Sequence, residues 1–242
     1  MAAGILSAEK HTPYENVLAF LPVSKIREYN KGEMIYDLDN SPRNVYLVVK
    51  GTVGISHMAE NGTEVLLDIV RPEELFGESA FLDVPCRCER AQAIERVELM
   101  AWTVSEVEDL VTKRPRLAVA LLQVLVQRNA EYTRRIESFA VDSIARRLAR
   151  SLLRLSERLG TQGEGGPIWM MPLTHQMLSQ YIGASREIVS RHMNQFRKHG
   201  YVTYSRRSIS LHRDELRKVL DAGAETNFQG TYASADRMRA EA

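Results

Sequence analysis

The sequence predicts an α+β fold in which a jelly-roll-like β-roll is followed by a long helix, then by two short helices and a small hairpin. Three observations carry this prediction. Residues 25–110 alternate short apolar runs with glycine-rich corners, as β-rolls do. Residues 111–140 carry apolar side chains at alternating intervals of four and three, which indicates a long helix. Residues 172–197 show two apolar stripes of helical period on either side of Gly183.

The composition is that of a globular protein, but the charge is unevenly distributed. Of the 242 residues, 44% are apolar, and the net charge is only +1. Residues 143–218 contain 14 Lys and Arg against five Asp and Glu, so this segment carries +9 and the remainder −8. Such a split is expected where one domain neutralises phosphates and the other is kept away from them.

The sequence predicts a cytoplasmic protein without a membrane partner. No run approaches the roughly 18 apolar residues of a membrane span, and the N-terminus has no charged segment followed by an apolar one. Cys86 and Cys88 are the only cysteines, and a bond across so short a loop would be strained. We therefore expect no disulfide framework and a reducing compartment.

The N-terminal half consists of an arm and the roll. Residues 1–24 form the arm, and its apolar patch from Val17 to Leu21 predicts a lead-in helix packed on the roll. Within the roll, Asn61-Gly62 separates two alternating runs and predicts a hairpin with a two-residue loop. Residues 105–114 predict a short helix that ends before a proline.

The long helix is predicted to pair two copies of the chain. Its stripe consists of Leu121, Leu125, Arg128, Tyr132, Arg135 and Phe139, broadened by Leu117 and Ile136. This is the heptad pattern of a two-stranded coiled coil, so we expect a twofold dimer. The alternative is a single helix that lies against its own roll.

Three further segments complete the chain order. Residues 143–159 have an apolar stripe of helical period after a hinge at 140–142. Residues 160–172 predict a glycine-rich connector with one short strand, since no GKS or GKT follows the glycines. The polar residues 221–242 lack periodicity and predict a disordered tail.

The two helices in residues 172–197 have the chemistry to read DNA. Thr174 and Ser185 are placed to cap them, and apolar residues of the second helix form its buried stripe. Its outer face carries Ser185, Arg186, Glu187, Ser190, Arg191 and Asn194. In the major groove, Arg can donate two hydrogen bonds to guanine and Glu can accept one from cytosine. The alternative is an ordinary surface helix with a solvated charged face.

A basic hairpin follows these helices. Residues 201–212 alternate apolar and polar side chains around Ser205-Arg206-Arg207-Ser208, which predicts a two-stranded wing with a basic tip. We expect Arg206 or Arg207 to contact phosphates.

The helices and wing, and above all SREIVSR at 185–191, resemble the winged helix-turn-helix of the catabolite activator protein and fumarate–nitrate regulator (Crp/Fnr) superfamily of bacterial transcription regulators. The resemblance extends upstream over residues 25–158. It implies a cyclic-nucleotide-binding-type, effector-sensing roll at 25–110, a dimerisation helix at 111–140 and a DNA-binding domain at 141–220.

The resemblance also implies a function for the outer face of the second helix. In the activator-protein branch, the positions that match Arg186, Glu187 and Arg191 read a TGTGA-like half-site, so a homodimer would read a palindromic operator. The implied partners are double-stranded DNA, a second copy of the chain and RNA polymerase. The predicted DNA-binding residues are Thr174, Ser185, Arg186, Glu187, Ser190, Arg191, Arg206 and Arg207.

Residues 76–93, FGESAFLDVPCRCERAQA, occupy the place of the superfamily's phosphate-binding cassette. The resemblance assigns Gly77 and Glu78 to the short helix that receives the cyclic phosphate and the ribose, and Arg87 to the phosphate charge. In the family, Ser or Thr and then Ala follow this Arg, whereas this chain has Cys88 and Glu89 at those two positions. Arg90 is the alternative phosphate partner if the loop is shifted.

On the long helix, the positions aligned with the family's adenine contacts are Tyr132 and Thr133. The predicted effector-binding residues are therefore Gly77, Glu78, Ser79, Arg87, Cys88, Arg128, Tyr132 and Thr133. cAMP or another cyclic nucleotide is the effector that the resemblance implies, although the sequence itself requires none, and constitutive DNA binding stays open.

Other classes of function have weaker sequence signals. An enzyme would need a clustered nucleophile and base, and the best candidate, Cys88 with Glu89 and a distant His, has no supporting spacing. An iron–sulfur sensor needs four thiolates, and the six histidines lack metal-ligand spacing, so no metal site is predicted. A cyclic-nucleotide-binding adaptor without DNA binding and a redox- or haem-sensing regulator remain as alternatives.

Overall fold

A computed structural model describes residues 17–39, 42–82, 88–162, 167–205 and 208–221. The first half is a β-roll of two four-stranded antiparallel sheets, with strand orders β1-β8-β3-β6 and β2-β7-β4-β5. The strands are β1 Arg27–Tyr29, β2 Met34–Tyr36, β3 Asn44–Lys50, β4 Val53–Met58, β5 Glu64–Val70, β6 Leu75–Phe76, β7 Glu89–Ala93 and β8 Val97–Thr103. Apolar side chains from both sheets form its core, among them Val48 and Leu99 of the first sheet and Val53 and Ala93 of the second. The predicted roll of short strands is confirmed.

The β4–β5 hairpin lies where it was predicted, but its loop is longer. The Ala59 N–H donates to the Thr63 carbonyl at 2.9 Å, and the Gly62 N–H donates to the Ala59 carbonyl at 2.9 Å. Three residues therefore lie between the paired ends, and Gly62 has the positive φ of 79° that such a loop requires. The predicted two-residue loop is wrong because the Asn-Gly pair here forms the second half of a wider turn.

Two helices follow the roll. Helix α1 spans Val104–Lys113, and the Thr103 hydroxyl and the Glu106 carboxylate close a capping box at its start. Helix α2 spans Arg116–Val141 and packs Leu117 onto the outer face of the roll. The described part of the arm contributes a three-residue 3₁₀ helix at Val17–Ala19. It packs on the roll, as predicted, at the face that also receives Leu117.

The apolar stripe of α2 faces in two directions. Leu117 and Arg135 are buried within their own chain, so the predicted dimer seam is wrong at these positions. A second repeat, one residue further along, points outward instead. It consists of Val119, Leu122, Val126, Asn129, Thr133 and Ile136, all exposed and spaced by alternating intervals of three and four. A heptad pattern shows that a helix has an apolar stripe, but two adjacent stripes with the same period cannot be told apart from the sequence.

The described part of the C-terminal half is built on four helices and a small sheet. The elements are α3 Ile144–Leu159, β9 Gly160–Gln162, β10 Ile168–Met170, α4 His175–Ile182, α5 Arg186–Lys198, β11 Val202–Tyr204, β12 Ile209–Leu211 and a last helix over 213–221. The four strands form one antiparallel sheet of order β11-β12-β10-β9. The connector thus contains two strands where one was predicted, because GTQ at 160–162 is too short to show an alternation.

The two halves are packed against each other. Leu66 and Ile69 of β5 belong to the same apolar cluster as α3, α4 and α5. The buried Arg135 of α2 donates from Nη2 to the carbonyl oxygens of Leu66 at 3.0 Å and Tyr181 at 2.8 Å, and its guanidinium lies 4.1 Å from the centre of the Tyr181 ring. One side chain therefore ties the roll to the helix that precedes the predicted reading helix. No helix in the described part of the chain is long and apolar enough to span a bilayer.

Candidate nucleic-acid interface and effector site

The turn between α4 and α5 sets the direction of the predicted reading helix. The Thr174 hydroxyl accepts from the Met177 N–H at 3.0 Å, and the Ser185 hydroxyl accepts from the Ile188 N–H at 3.4 Å, so each caps one helix. Gly183 ends α4 in the left-handed conformation, with φ 64°. Because the Thr174 hydroxyl acts as an acceptor within the protein, its own proton stays available to a phosphate oxygen, whereas the Ser185 hydroxyl donates to the Glu187 carboxylate.

Helix α5 has one buried and one exposed face. Val189 and Met193 are buried, whereas Arg186, Glu187 and Arg191 are exposed. Hydrogen bonds from its own backbone N–H and from Ser185 lower the pKa of Glu187, so this carboxylate is ionised at neutral pH. The exposed face therefore offers two guanidinium donors and one carboxylate acceptor, the groups that read guanine and cytosine edges.

A polar network connects α4, α5 and the wing, and the sequence did not indicate it. His175 Nδ1 lies 2.9 Å from Ser190 Oγ, and the His175 ring meets the edge of Tyr204 with centroids 5.6 Å apart. The Tyr204 hydroxyl donates to Asn194 Oδ1 at 3.0 Å. Burial and the nearby Arg186 lower the pKa of His175. This network fixes Ser190 and Asn194 on the reading helix relative to the first strand of the wing.

The wing itself is formed by β11 and β12, which pair in antiparallel register with Tyr204 opposite Ile209. The predicted phosphate contacts Arg206 and Arg207 lie outside the described residues.

The roll brings together part of the predicted effector site. Gly77 opens a short 3₁₀ helix, Glu78–Phe81, with φ 84°, and a Cβ there would lie 2.6 Å from the Asn44 carbonyl oxygen. Arg128 of α2 pairs with the Glu78 carboxylate and donates to the Leu75 carbonyl at 2.7 Å. Gly77, Glu78 and Arg128 are thus neighbours, as the resemblance implied.

The other predicted effector residues are distributed differently. Tyr132 is partly buried, and this burial and the charge of Asp68 raise its pKa to about 12. Thr133 points outward and donates to the Asn129 carbonyl of its own helix at 3.0 Å. Cys88 lies at the base of β7, where its carbonyl accepts from the Met58 N–H at 2.8 Å, and Arg87 lies outside the described residues.

Ser79 does not point to open space, because its hydroxyl donates to Glu89 Oε1 at 2.9 Å. The same oxygen accepts from the Tyr36 hydroxyl at 2.6 Å. In the sequence, Glu89 stood out only as a departure from the family pattern. In the fold it is a central member of the cassette. Within the described residues, no group of three or more His, Cys, Asp and Glu is placed to hold a metal ion.

Two family models match the chain. A cyclic nucleotide-binding domain matches residues 26–114, and a Crp-like helix-turn-helix domain matches residues 146–219. These segments contain the roll and the α4–α5 unit described above.

Similar proteins and structures agree with these matches. The CRP-like cAMP-activated global transcriptional regulator of Mycobacterium tuberculosis is 28% identical over 185 residues, which cover 76% of this chain and 82% of that protein. The cyclic AMP receptor protein of Thermus thermophilus is 31% identical over 176 residues, covering 73% and 78%. The structure of FixK2 from Bradyrhizobium japonicum shares the fold with a TM-score of 0.71 at 23% identity and covers 82% of this chain and 98% of its own.

Proposed function

The chain belongs to the CRP/FNR family of transcription regulators, and we propose that it acts in the cytoplasm as a homodimer that reads a palindromic, TGTGA-like operator. It is a DNA-binding regulator with a helix-turn-helix domain of the Crp type. The observation that carries the operator assignment is the exposed face of α5, where Arg186, Glu187 and Arg191 stand together opposite a buried apolar stripe.

Readout of specific bases depends on these three side chains. A bidentate Arg–guanine contact discriminates against the wrong base by about 1–3 kcal/mol. Thr174 and Ser185 cap their helices, and the hydroxyl proton of Thr174 is free for a phosphate, which would position the helix without reading sequence. Phosphate contacts of the wing are proposed for Arg206 and Arg207.

The homodimer is supported by the outward repeat of α2. Leu122 and Val126 are 60% and 59% exposed, which is unusual for large apolar side chains in the middle of a long helix. Beside them, a groove of about 650 Å³ lined mainly by apolar side chains runs between α1, α2 and Phe81. A second copy would bury both surfaces and place the two α5 helices for successive major grooves, roughly 34 Å apart. RNA polymerase is the further partner that a regulator of transcription requires.

The dimer is tested by sedimentation. Leu122→Glu with Val126→Glu should convert the wild-type dimer to a monomer, because two charges would be buried at the seam. Val23→Glu, at a site that is 88% exposed, is the matched control and should leave the dimer intact. A wild-type chain that sediments as a monomer at micromolar concentration would contradict the proposal.

The readout is tested by fluorescence anisotropy on an operator and on its single-base variants. Arg186→Ala should cost about 1–3 kcal/mol and remove the preference at one base pair, whereas Arg207→Ala should weaken binding to all sequences alike. Arg217→Ala, on the last helix and paired with Asp214, serves as a control expected to change little. Equal, sequence-independent losses for Arg186→Ala and Arg207→Ala would refute the assignment of readout to α5.

A further inference from the structure

The cassette of the roll contains an anion of its own. Glu89 begins β7, and its Oε1 atom accepts from the Ser79 hydroxyl at 2.9 Å and from the Tyr36 hydroxyl at 2.6 Å. Ser79 directly follows Glu78 in the short helix to which the resemblance assigns the cyclic phosphate and ribose. The side chain that replaces a small residue of the family pattern therefore points into the cassette and is held there by two hydroxyl donors.

Three stacked aromatic rings pack on one side of this carboxylate, which is itself half-buried. Tyr36 is 2% exposed, and its ring lies 5.9 Å from that of Tyr46 and 6.2 Å from that of Phe76. Tyr46 and Phe76 are themselves stacked at 5.0 Å. Burial and the charge of Glu89 raise the pKa of Tyr36, so its phenol stays protonated and keeps donating. These rings fill the interior of the roll beside the cassette.

Glu78, the other cassette carboxylate among the described residues, is also satisfied within the chain. Glu78 pairs with Arg128 of α2, and the same guanidinium lies 3.7 Å from Asp68. Burial opposes the charge of Arg128, but Glu78 and Asp68 outweigh it and raise its pKa. Glu78, the carboxylate that would accept from a ribose hydroxyl, is thus neutralised by a side chain of α2. This is the helix that would contact the nucleotide base.

A cyclic nucleotide does not fit these residues. Its phosphate is an anion, and a carboxylate a few ångström away repels it in this half-buried site, where charges are screened less than in bulk water. Its ribose hydroxyl would have to share the Glu78 carboxylate, which is already paired with Arg128. The phosphate and the ribose hydroxyl of the ligand thus both have counterparts among the protein's own side chains, Glu89 for the phosphate and Arg128 for the hydroxyl.

We propose that Glu89 is an internal anion that takes the place of the ligand's phosphate, so that DNA binding needs no cyclic nucleotide. The part that concerns DNA rests on the proposed function. The part that concerns nucleotide exclusion rests on the contacts of Glu89 and Glu78 described above and does not depend on DNA binding.

Nucleotide exclusion is tested by calorimetric titration of the full-length protein with cAMP and with cGMP. Glu89→Ser and Glu89→Gln should each bind at least about tenfold more tightly than the wild type, because the first removes the anion and the second keeps its size without its charge. Tyr36→Phe removes one hydrogen bond but leaves the charge, and it should show no such gain. Having two Glu89 variants keeps the test valid if one fails to fold.

Three results would overturn the proposal: wild-type binding with a Kd below about 10 μM, a gain of less than about tenfold in the folded Glu89 variants, or a gain in Tyr36→Phe equal to theirs. For the DNA half, anisotropy with the wild type should give the same operator affinity, within about twofold, with and without about 1 mM cAMP or cGMP. A larger increase would overturn ligand independence. If the wild type binds no DNA at all, the proposed function fails, while the titration still decides the role of Glu89.

Discussion

Replacing Arg158 with Met should destabilise the protein and partly uncouple its two halves. Arg158 lies near the end of α3, and its guanidinium reaches across to the roll. Nη1 lies 2.6 Å from Asp68 Oδ1 and Nη2 lies 3.0 Å from Glu74 Oε2, while Glu131 of α2 is at 3.3 Å. One side chain of the DNA-binding half thus neutralises carboxylates of both the roll and the long helix.

The magnitude follows from the burial of the partners. The Asp68 side chain is 8% exposed, and removing one partner of a buried ion pair costs about 3–5 kcal/mol. Arg128 remains 3.7 Å from Asp68 and would recover part of this loss. Glu74 and Glu131 are much more exposed, so their pairs contribute at most about 1 kcal/mol each. We expect a net loss of about 2–3 kcal/mol, or a fall in Tm of about 5–10 °C for a chain of this size.

The two tryptophans allow each half to be followed separately during urea unfolding. Trp102 is buried against α1 and α2, and Trp169 is half exposed on β10. Single-tryptophan variants should show coincident transitions in the wild type and separated ones after Arg158→Met. Arg213→Met is the matched control, because its partner Glu157 is 55% exposed and its loss should cost less than about 1 kcal/mol. A stability change after Arg158→Met that is no larger than that of the control would refute the reasoning.

Two further predictions concern the hinge and the turn. Burial alone would raise the pKa of Asp142, but hydrogen bonds from Arg150 and Ser138 lower it to about 2. The pKa in the unfolded chain is about 3.9, so the ionised Asp142 side chain stabilises the fold above about pH 4, and this stabilisation is lost toward pH 2. Asp142→Asn should therefore cost about 2 kcal/mol at pH 7 and flatten the acid limb of the urea midpoints, and an unchanged limb would contradict this. Gly183→Ala should cost about 1–3 kcal/mol, because its φ is 64° and a Cβ would lie 2.9 Å from the Phe139 ring. Thermal unfolding measures this cost, and Phe139→Leu in the same chain should recover part of it.

The order of the elements was predictable because each has its own local signal. Gly183 marks the turn, Ser185 caps the next helix, and the apolar positions of α5 have a helical period. The outer face of α5 was identifiable for the same reason, since in a helix the buried stripe determines what is left exposed. The assignment of its residues to particular bases stays a prediction.

The parts that could not be predicted depend on contacts between distant segments. Arg128 and Arg135 lie on a heptad stripe, and their carboxylate and carbonyl partners are more than 45 residues away in sequence. His175 and Ser190 are 15 residues apart, and only the angle between α4 and α5 brings them together. The sequence showed that Glu89 was unusual, but whether it pointed inward depended on Tyr36, 53 residues upstream.

Neighbouring positions in α2 belong to different interfaces. Arg135 is buried against the carbonyl oxygens of both halves, while Ile136 is 67% exposed on the outward repeat. Successive residues of a helix differ by about 100° in direction, so the proposed contact between subunits and the clamp within each subunit are fixed to one rigid rod. A rotation of α2 about its axis at the proposed dimer contact would therefore move the Arg135 guanidinium against both Leu66 and Tyr181. Such a rotation would reorient the α5 helices of the two subunits together.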